Sequence, residues 1–389
     1  MSKRSLIIGL ALSLVLLACQ GGSSPSGGAG ASPGATGHGA SAPASSSTGP
    51  ATDVAAALRE QLEAATSGEQ RMSGTLRVGD IQATFESTSS SNGPDSTLVM
   101  STTVGGVVST EERAKVAGAR YLRRGDGPWL NDSSTDENPG VGAAFKRALA
   151  SVRDLDANAS GSAPHRLVSD TLEFDPVEFG FAAAGQASPG TATFTFMTEP
   201  DGTPLSVLVE ASWMARSGGG NDDASLDLTI EFVALNNGPA IKAPGDVWSM
   251  FSSDRFGYAY ATPPAFNANG TKGYDGFIGP GATSYILSSR APSQGNGLNV
   301  IAESELATWQ QQLQASDGTS DVITLGGEPA RLLSVSGRSP DLGGKVSVYE
   351  AVAVKGKYFY VVVVVTPRED ASSGRLLARQ VLATFSFID

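Results

Sequence analysis

The sequence predicts an α+β protein built on antiparallel sheets, and three features of its 389 residues point there. Apolar and polar residues alternate over Thr191–Phe196, Leu205–Trp213 and Leu226–Phe232, the period of strands with one buried and one wet face. Tyr358–Val365 has no polar break except tyrosine hydroxyls, as expected of a central strand covered on both faces. Elsewhere apolar residues recur at helical spacing, as at Val54, Leu58, Leu62 and Ala65. The stretch after residue 52, about 335 residues, is too long for one typical domain and suits two. The boundary is expected near Ser249–Asp254, giving units at 53–250 and 254–389.

The N-terminal segment has the parts of an export signal. Lys3 and Arg4 form a positive start, and Leu6–Ala18 follows as an uncharged, mostly apolar run. As a helix that run reaches roughly 20 Å, short of a hydrocarbon core of about 30 Å, so it suits a signal peptide over 1–18 better than a permanent span. Leu16-Leu17-Ala18-Cys19 resembles the lipobox of bacterial lipoproteins. That resemblance implies cleavage after Ala18 and acylation of Cys19, which would tether the chain to the outer face of a membrane. Cys19 is the only cysteine, so no disulfide and no cysteine-based zinc site can form within the chain. Loss of Lys3 and Arg4 takes the net charge from -12 to -14, because residues 1–18 hold no acid. A body this acidic is expected to repel nucleic acid and anionic headgroups, leaving the acyl groups as the membrane contact.

Residues 20 to about 52 are nearly all Gly, Ser, Ala, Pro and Thr, too poor in apolar surface to offset chain entropy. The segment 19–52 therefore reads as the lipidated cysteine followed by a flexible leash with a reach near 30 Å. His38 lies on it as a solvated residue.

The first unit opens with a helix near Asp53–Thr66, with Thr52 or Asp53 as N-cap. Strands are expected at 73–79, 81–88, 96–104, 106–113 and 115–123, then a short helix near 141–152. The three alternating strands follow, the first two joined by the turn Pro200-Asp201-Gly202. The opening helix, Tyr121-Leu122-Arg123-Arg124 before Trp129, that turn and Ile241-Lys242-Ala243-Pro244 resemble the LolA and LppX/LprG type of envelope lipoprotein. The resemblance implies an antiparallel half-barrel sheet wrapped on helices, with room for lipid between them. Residues read as facing such a ligand are Val207, Leu228 and Ile230. Arg123 and Arg124 would stand at the cavity mouth, where forked guanidinium bonds suit a phosphate. Two cheaper explanations stay open: the apolar faces pack on the helices, and the arginines pair with Glu111 and Glu112 across strands.

The second unit shows a strand at Phe256–Tyr260 stopped by Pro263-Pro264, a strand at 283–289, and a helix near Glu303–Ala315. Strands at 321–325 and 329–337 flank Gly326-Gly327, and 345–354 and 358–366 form a hairpin around Lys355-Gly356-Lys357. A closing helix near 370–384 offers Leu376, Leu377, Val381 and Leu382. Tyr258–Pro264, Gly326–Arg331 and Ala383–Phe387 resemble the PsbP-like fold, which also occurs in lipoproteins of the LpqN type. That resemblance implies an α/β/α antiparallel-sheet domain that binds rather than catalyses.

Catalytic signatures are missing from the sequence: no G-x-S-x-G, Walker A, G-x-G-x-x-G or H-E-x-x-H occurs. His165 is the one histidine off the leash and has no evident partner in sequence. Asp154, Asp156, Asn158 and Ser160 are spaced like the start of a calcium loop, but Ala159 and His165 stand where glycine and glutamate are needed, so a polar loop is the expectation. Arg124-Gly125-Asp126 reads as turn chemistry, Asp222-Asp223 as a soluble turn, and the aromatics Phe174, Phe179, Phe181, Trp248 and Phe251 as packing. Neither a catalytic residue, a metal site nor a cofactor is assigned. The leading expectation is a non-enzymatic extracytoplasmic lipoprotein that binds or carries a lipid or other apolar ligand. The second is a structural envelope lipoprotein that docks a protein partner and holds no small molecule. Both require the anchor. Cys19→Ala is expected to leave an uncleaved precursor and to move the protein out of the membrane fraction, as immunoblots of fractionated cells will show.

Overall fold

The structure, a computed structural model, describes residues 53–388 except 133–138, 157–162, 178–180, 183–184, 218–219 and 341–343. The architecture is α+β with mostly antiparallel pairing. The chain up to Gly118 forms one compact unit with Ser134–Ala243, and Ala119–Ser133 joins Pro244–Asp389 in a second. The division therefore differs from the sequence reading at two places. Residues 119–133 leave the first unit, and the second starts ten residues before 254. The cause is a strand at Val247–Ser253 that sequence reading missed. It pairs in parallel with Trp129–Asn131 through Val247–Trp129 and Trp248–Leu130, drawing both segments into one unit.

In the first unit, helix α1 (Val54–Ala64) is capped by Asp53, whose Oδ1 accepts from Ala56 N at 3.0 Å. Strands β1 (Ser67–Val78), β2 (Ile81–Asn92), β3 (Asp95–Val104) and β4 (Val107–Val116) form a meander. Strand β1 starts six residues earlier than its sequence pattern suggested. The strand expected over 115–123 is broken, because Ala117 (φ 51°) and Gly118 (φ 84°) turn the chain between β4 and β5 (Ala119–Arg124). Strand β6 (Trp129–Asn131) belongs with β5 to the second unit. Helix α2 (Pro139–Ser151) precedes β7 (Arg153–Asp154), β8 (His165–Val168), β9 (Leu172–Phe174), β10 (Gly190–Thr198), β11 (Pro204–Ser217) and β12 (Gly220–Leu235). The unit's strand order is β4-β3-β2-β1-β12-β11-β10-β8-β7, antiparallel throughout, with β9 also on β10. Strands β4 and β7 do not pair with each other, so the sheet does not close into a barrel.

The alternation seen in the sequence now has a physical destination. Phe194, Phe196, Val207, Val209, Trp213, Leu226 and Leu228 all point to one face. Leu58 and Leu62 of α1 and Ala148 and Leu149 of α2 belong to the same core. Phe174 and Phe181 stack near Trp213, with centroids 5.4 and 6.2 Å away, which fills the end of that core with rings. The turn Pro200-Asp201-Gly202 abuts α1. Gly202 has φ +85°, and a Cβ there would come within 2.5 Å of Ala57, so both its conformation and its space call for glycine.

The second unit contains β13 (Val247–Ser253), β14 (Tyr258–Thr262), β15 (Asn267–Ala268), β16 (Asp275–Ile278) and β17 (Tyr285–Pro292). Helix α3 (Leu298–Gln312) follows, starting five residues before the expected position. Then come β18 (Thr319–Leu325), β19 (Glu328–Ser339), β20 (Gly344–Lys355), β21 (Tyr358–Pro367), α4 (Ala371–Ala383) and β22 (Ser386–Phe387). A seven-stranded antiparallel sheet runs β15-β16-β17-β21-β20-β19-β18. Val346, Val348, Val352, Val363 and Val365 look toward α3. The alternate residues Tyr349, Ala351, Ala353, Val362 and Val364 share a core with α4 and β14. The apolar run in β21 thus has a covered face on each side, as the sequence implied.

Helix α4 turns Leu377, Val381 and Leu382 to the sheet as expected, but not Leu376. Leu376 is half exposed at 50 %, while Gly374, Ala378 and Val381 are buried against the sheet. Positions 374, 378 and 381 fall on one helical stripe and 376 lies well around the cylinder. Close approach sets the choice of small residues, since a Cβ on Gly374 would lie 2.2 Å from Thr366 Oγ1. No helix among the described residues is long and apolar enough to cross a membrane. Leu58→Ala removes a fully buried side chain from the contact between α1 and its sheet. A loss of about 2–5 kcal/mol is expected in urea unfolding, and a change near zero would show that α1 does not seal the sheet.

Candidate functional site

Of the residues nominated from sequence, Val207, Leu228 and Ile230 come together on β11 and β12 of the first unit, while the two arginines do not join them. Val207 and Leu228 are 0 % and 2 % exposed inside the first core, and Ile230 packs at its margin. Arg123 and Arg124 belong to the second unit. There the Arg123 guanidinium sits 4.9 Å from the Trp129 ring centroid, and Arg124 is exposed at the end of β5. Glu111 bonds Arg113 at 2.6 Å. Cys19, Asn158, Ser160 and Phe179 lie outside the described residues.

His165 has a partner that the sequence did not reveal. Its Nδ1 is 2.8 Å from Asp154 Oδ2, both groups are largely buried, and the contact joins β7 to β8. Asp154 Oδ1 accepts from Asp156 N, and Asp156 Oδ2 accepts from Arg166 N, so both carboxylates serve the same turn. A histidine oriented by an aspartate is half of a catalytic triad, and Thr198 lies opposite His165 on β10. Thr198 is 0 % exposed, however, so no substrate carbonyl reaches its hydroxyl. The pair is a clasp between strands. Among the described residues, no group of three or more His, Cys, Asp and Glu is placed to hold a metal.

A depression of about 370 Å³ opens on the solvent face of the first sheet. At its centre Arg71 on β1 stands directly between Glu231 on β12 and Thr88 on β2. Exposed Ser73, Glu86 and Val99 and half-buried Ser101 also line it. Both signs of charge and several hydroxyls are therefore presented together on a rigid sheet. None of Val207, Leu228 or Ile230 contributes to this depression, because they occupy the opposite face.

The second unit contains a buried carboxyl with no counter-ion among the described residues. Glu350 on β20 is 2 % exposed and is flanked by Leu333 and Val363 on the adjoining strands. Trp309 of α3 donates its Nε1–H to Glu350 Oε2 at 2.5 Å. Burial pushes the Glu350 carboxyl up to about 8, Glu305 one turn before Trp309 adds repulsion, and the tryptophan bond opposes the rise. Burial also raises Glu305. Glu350 is thus a proton-binding group between a helix and a sheet. The available signal was one charge inside the apolar run Val346–Val354. A second polar cluster closes on itself: Tyr258 Oη lies 2.8 Å from both Asp275 Oδ2 and Ser288 Oγ, Tyr260 Oη is 2.9 Å from Ser288 Oγ, and Arg255 bonds Asp275 Oδ1 at 2.5 Å.

No protein-family model matches the chain, and no curated protein matches it. Among solved structures, the PsbP protein (CyanoP) of Synechocystis sp. PCC 6803 is similar at 12 % identity and a TM-score of 0.29, over 39 % of this chain and 98 % of that one. A protein of unknown function from Pseudomonas aeruginosa, titled a putative regulator, is similar at 15 % identity and a TM-score of 0.23, over 34 % and 92 %. MucB in complex with MucA(peri) is similar at 12 % identity and a TM-score of 0.18, over 87 % and 99 %. Likenesses at these TM-scores carry no argument for function.

The sign of the Glu350 effect follows from proton binding. Its ordinary value is 4.5 and its folded value about 8, so the folded chain holds an extra proton between them. The associated stability is complete below the lower value and is lost as pH rises through the upper one. Glu350→Gln keeps an acceptor for Trp309 without the ionisation. It is expected to match the parent in urea unfolding near pH 4 and to exceed it in stability near pH 9. Equal stability of the two proteins at the higher pH would rule out the buried titration.

Proposed function

We propose that this chain is a membrane-anchored, extracytoplasmic lipoprotein that acts by binding, and that its first unit docks an envelope protein through the solvent face of its sheet. The observation that carries the docking role is the depression around Arg71, Glu86 and Glu231, which offers charges of both signs and hydroxyls on a rigid support. Surfaces of this kind confer partner choice and register through charge complementarity. Scarcity of histidine and cysteine supports binding over catalysis. Anchorage rests on Leu16-Leu17-Ala18-Cys19, and the Gly- and Ser-rich leash would let the units reach a partner away from the headgroups.

A second reading is a carrier of lipid or another apolar ligand, with the first unit as a half-barrel of the LolA and LppX/LprG type and the second as a PsbP-like module. It is favoured by the arrangement of α1 and α2 on the apolar face of one long antiparallel sheet. A ligand there would take the space now filled by Leu58, Phe145 and the rings around Trp213. Buried Val207 and Leu228 support docking instead, since neither has a free surface to offer.

Native mass spectrometry of protein extracted from membranes separates the two. The docking role predicts the mass of the processed, acylated polypeptide alone. Stoichiometric additional lipid would establish the carrier. For the docking surface, Arg71→Glu is expected to leave folding intact and to remove partner proteins recovered by crosslinking in intact cells. Recovery unchanged by that charge reversal would discard the proposed face.

A further inference from the structure

At one end of the second unit, four cations lie against aromatic rings in a continuous chain of contacts. The Arg255 guanidinium is 4.3 Å from the Phe256 centroid, and Phe256 stacks on Tyr258. Tyr258 is paired with Phe387, over which Lys355 Nζ sits at 4.7 Å. Arg290 and Lys357 both cover Tyr358, at 4.4 and 5.3 Å. Tyr358 faces Lys355 across the β20–β21 hairpin. Arg290 Nη2 donates to the Arg255 carbonyl at 3.1 Å, which ties the two ends of the chain together. Arg255 also holds the loop carrying Lys272 through the Thr271 and Tyr274 carbonyls. Among the described residues three carboxylates enter this region, Asp254, Asp275 and Glu328; Asp275 is already engaged by Arg255 and Tyr258, and Glu328 follows the turn at Gly326-Gly327 that lies against Phe387.

We infer that this cation–aromatic patch is a docking surface for the anionic phospholipid headgroups of a bilayer. In a chain of net charge -12, a concentration of basic groups at one end is a local inversion of sign. It departs from the expectation that only acyl groups would touch the membrane, because net charge does not describe so uneven a distribution. Charge complementarity selects anionic headgroups, and the rings select an interface rather than a free ion. Phe256, Tyr358 and Phe387 are half-buried and Ile388 is 40 % exposed, so apolar edges and cations stand side by side. That combination fits the headgroup level, where aromatic rings settle and Lys and Arg reach phosphates. The inference does not depend on Cys19, since the patch would contact lipid with or without an acyl chain.

The test uses the full chain carrying Cys19→Ser, so that no acyl group can anchor it. Co-sedimentation is measured with phosphatidylglycerol-rich vesicles and with phosphatidylcholine vesicles. Binding is expected to the anionic vesicles only and to be lost in high salt. Lys357→Gln and Lys272→Gln alter exposed residues and are expected to weaken binding by roughly fivefold for each cation removed, with circular dichroism unchanged. Arg290→Gln is expected to act in the same direction, and Lys357→Arg to retain binding. Equal sedimentation with both lipids, or no effect of the charge-removing variants, would overturn the inference. Displacement by inorganic phosphate at equal charge concentration would also overturn it, by showing a free-anion site.

Discussion

Burial of sheet faces against the chain's own helices, one face in the first unit and both in the second, is the interaction on which the fold depends. One cysteine leaves no disulfide to constrain the unfolded chain, so apolar burial must supply the stability. In the first unit Leu58, Leu62, Ala148 and Leu149 cover strands whose inward residues alternate with polar ones. In the second, α3 and α4 cover opposite faces of a single sheet. What remains for function is therefore what lies outside these contacts: the wet faces, the hairpin tips and the edges.

That division explains how much could be read from the sequence. Strands such as β10, β11 and β12 were legible because one face is buried and the other is wet, which writes a period of two into the residues. Strand β21 was legible because both faces are covered. Strand β13 was missed because its burial is irregular: Trp248 is buried, Met250 is 53 % exposed, and its partner β6 is only three residues long. Pairing between segments more than a hundred residues apart leaves no local periodicity. In helix α4 only Leu376 misled, and for another reason. The helix's contact with β21 is so close that glycine and alanine mark the buried stripe, while Leu376, an apparent core residue, faces outward.

Site residues were less legible than the fold because proximity across strands depends on register. His165 and Asp154 meet because β7 pairs with β8, and Arg71 meets Glu231 because β1 pairs with β12. Neither relation is visible in spacing along the chain. Glu350 left a local signal that the sequence reading did not use, the one acid in the mostly apolar strand β20. Val207, Leu228 and Ile230 were nominated as apolar and inward-facing, and that rule led into the packed core. In such a protein the electrostatic pattern is more informative about function than the apolar one: a carboxyl under α3, mixed charge on the first sheet and cations on rings at the end of the second unit.

Helix α1 is a permanent part of the first core and not a lid over a ligand space. Residue-resolved amide hydrogen exchange measures this directly. Amides of Leu58–Leu62 are expected to open only with those of β1, β11 and β12, in one cooperative unfolding. Exchange through α1 that is orders of magnitude faster than in those strands, with the sheet still protected, would contradict it and return the carrier reading to first place.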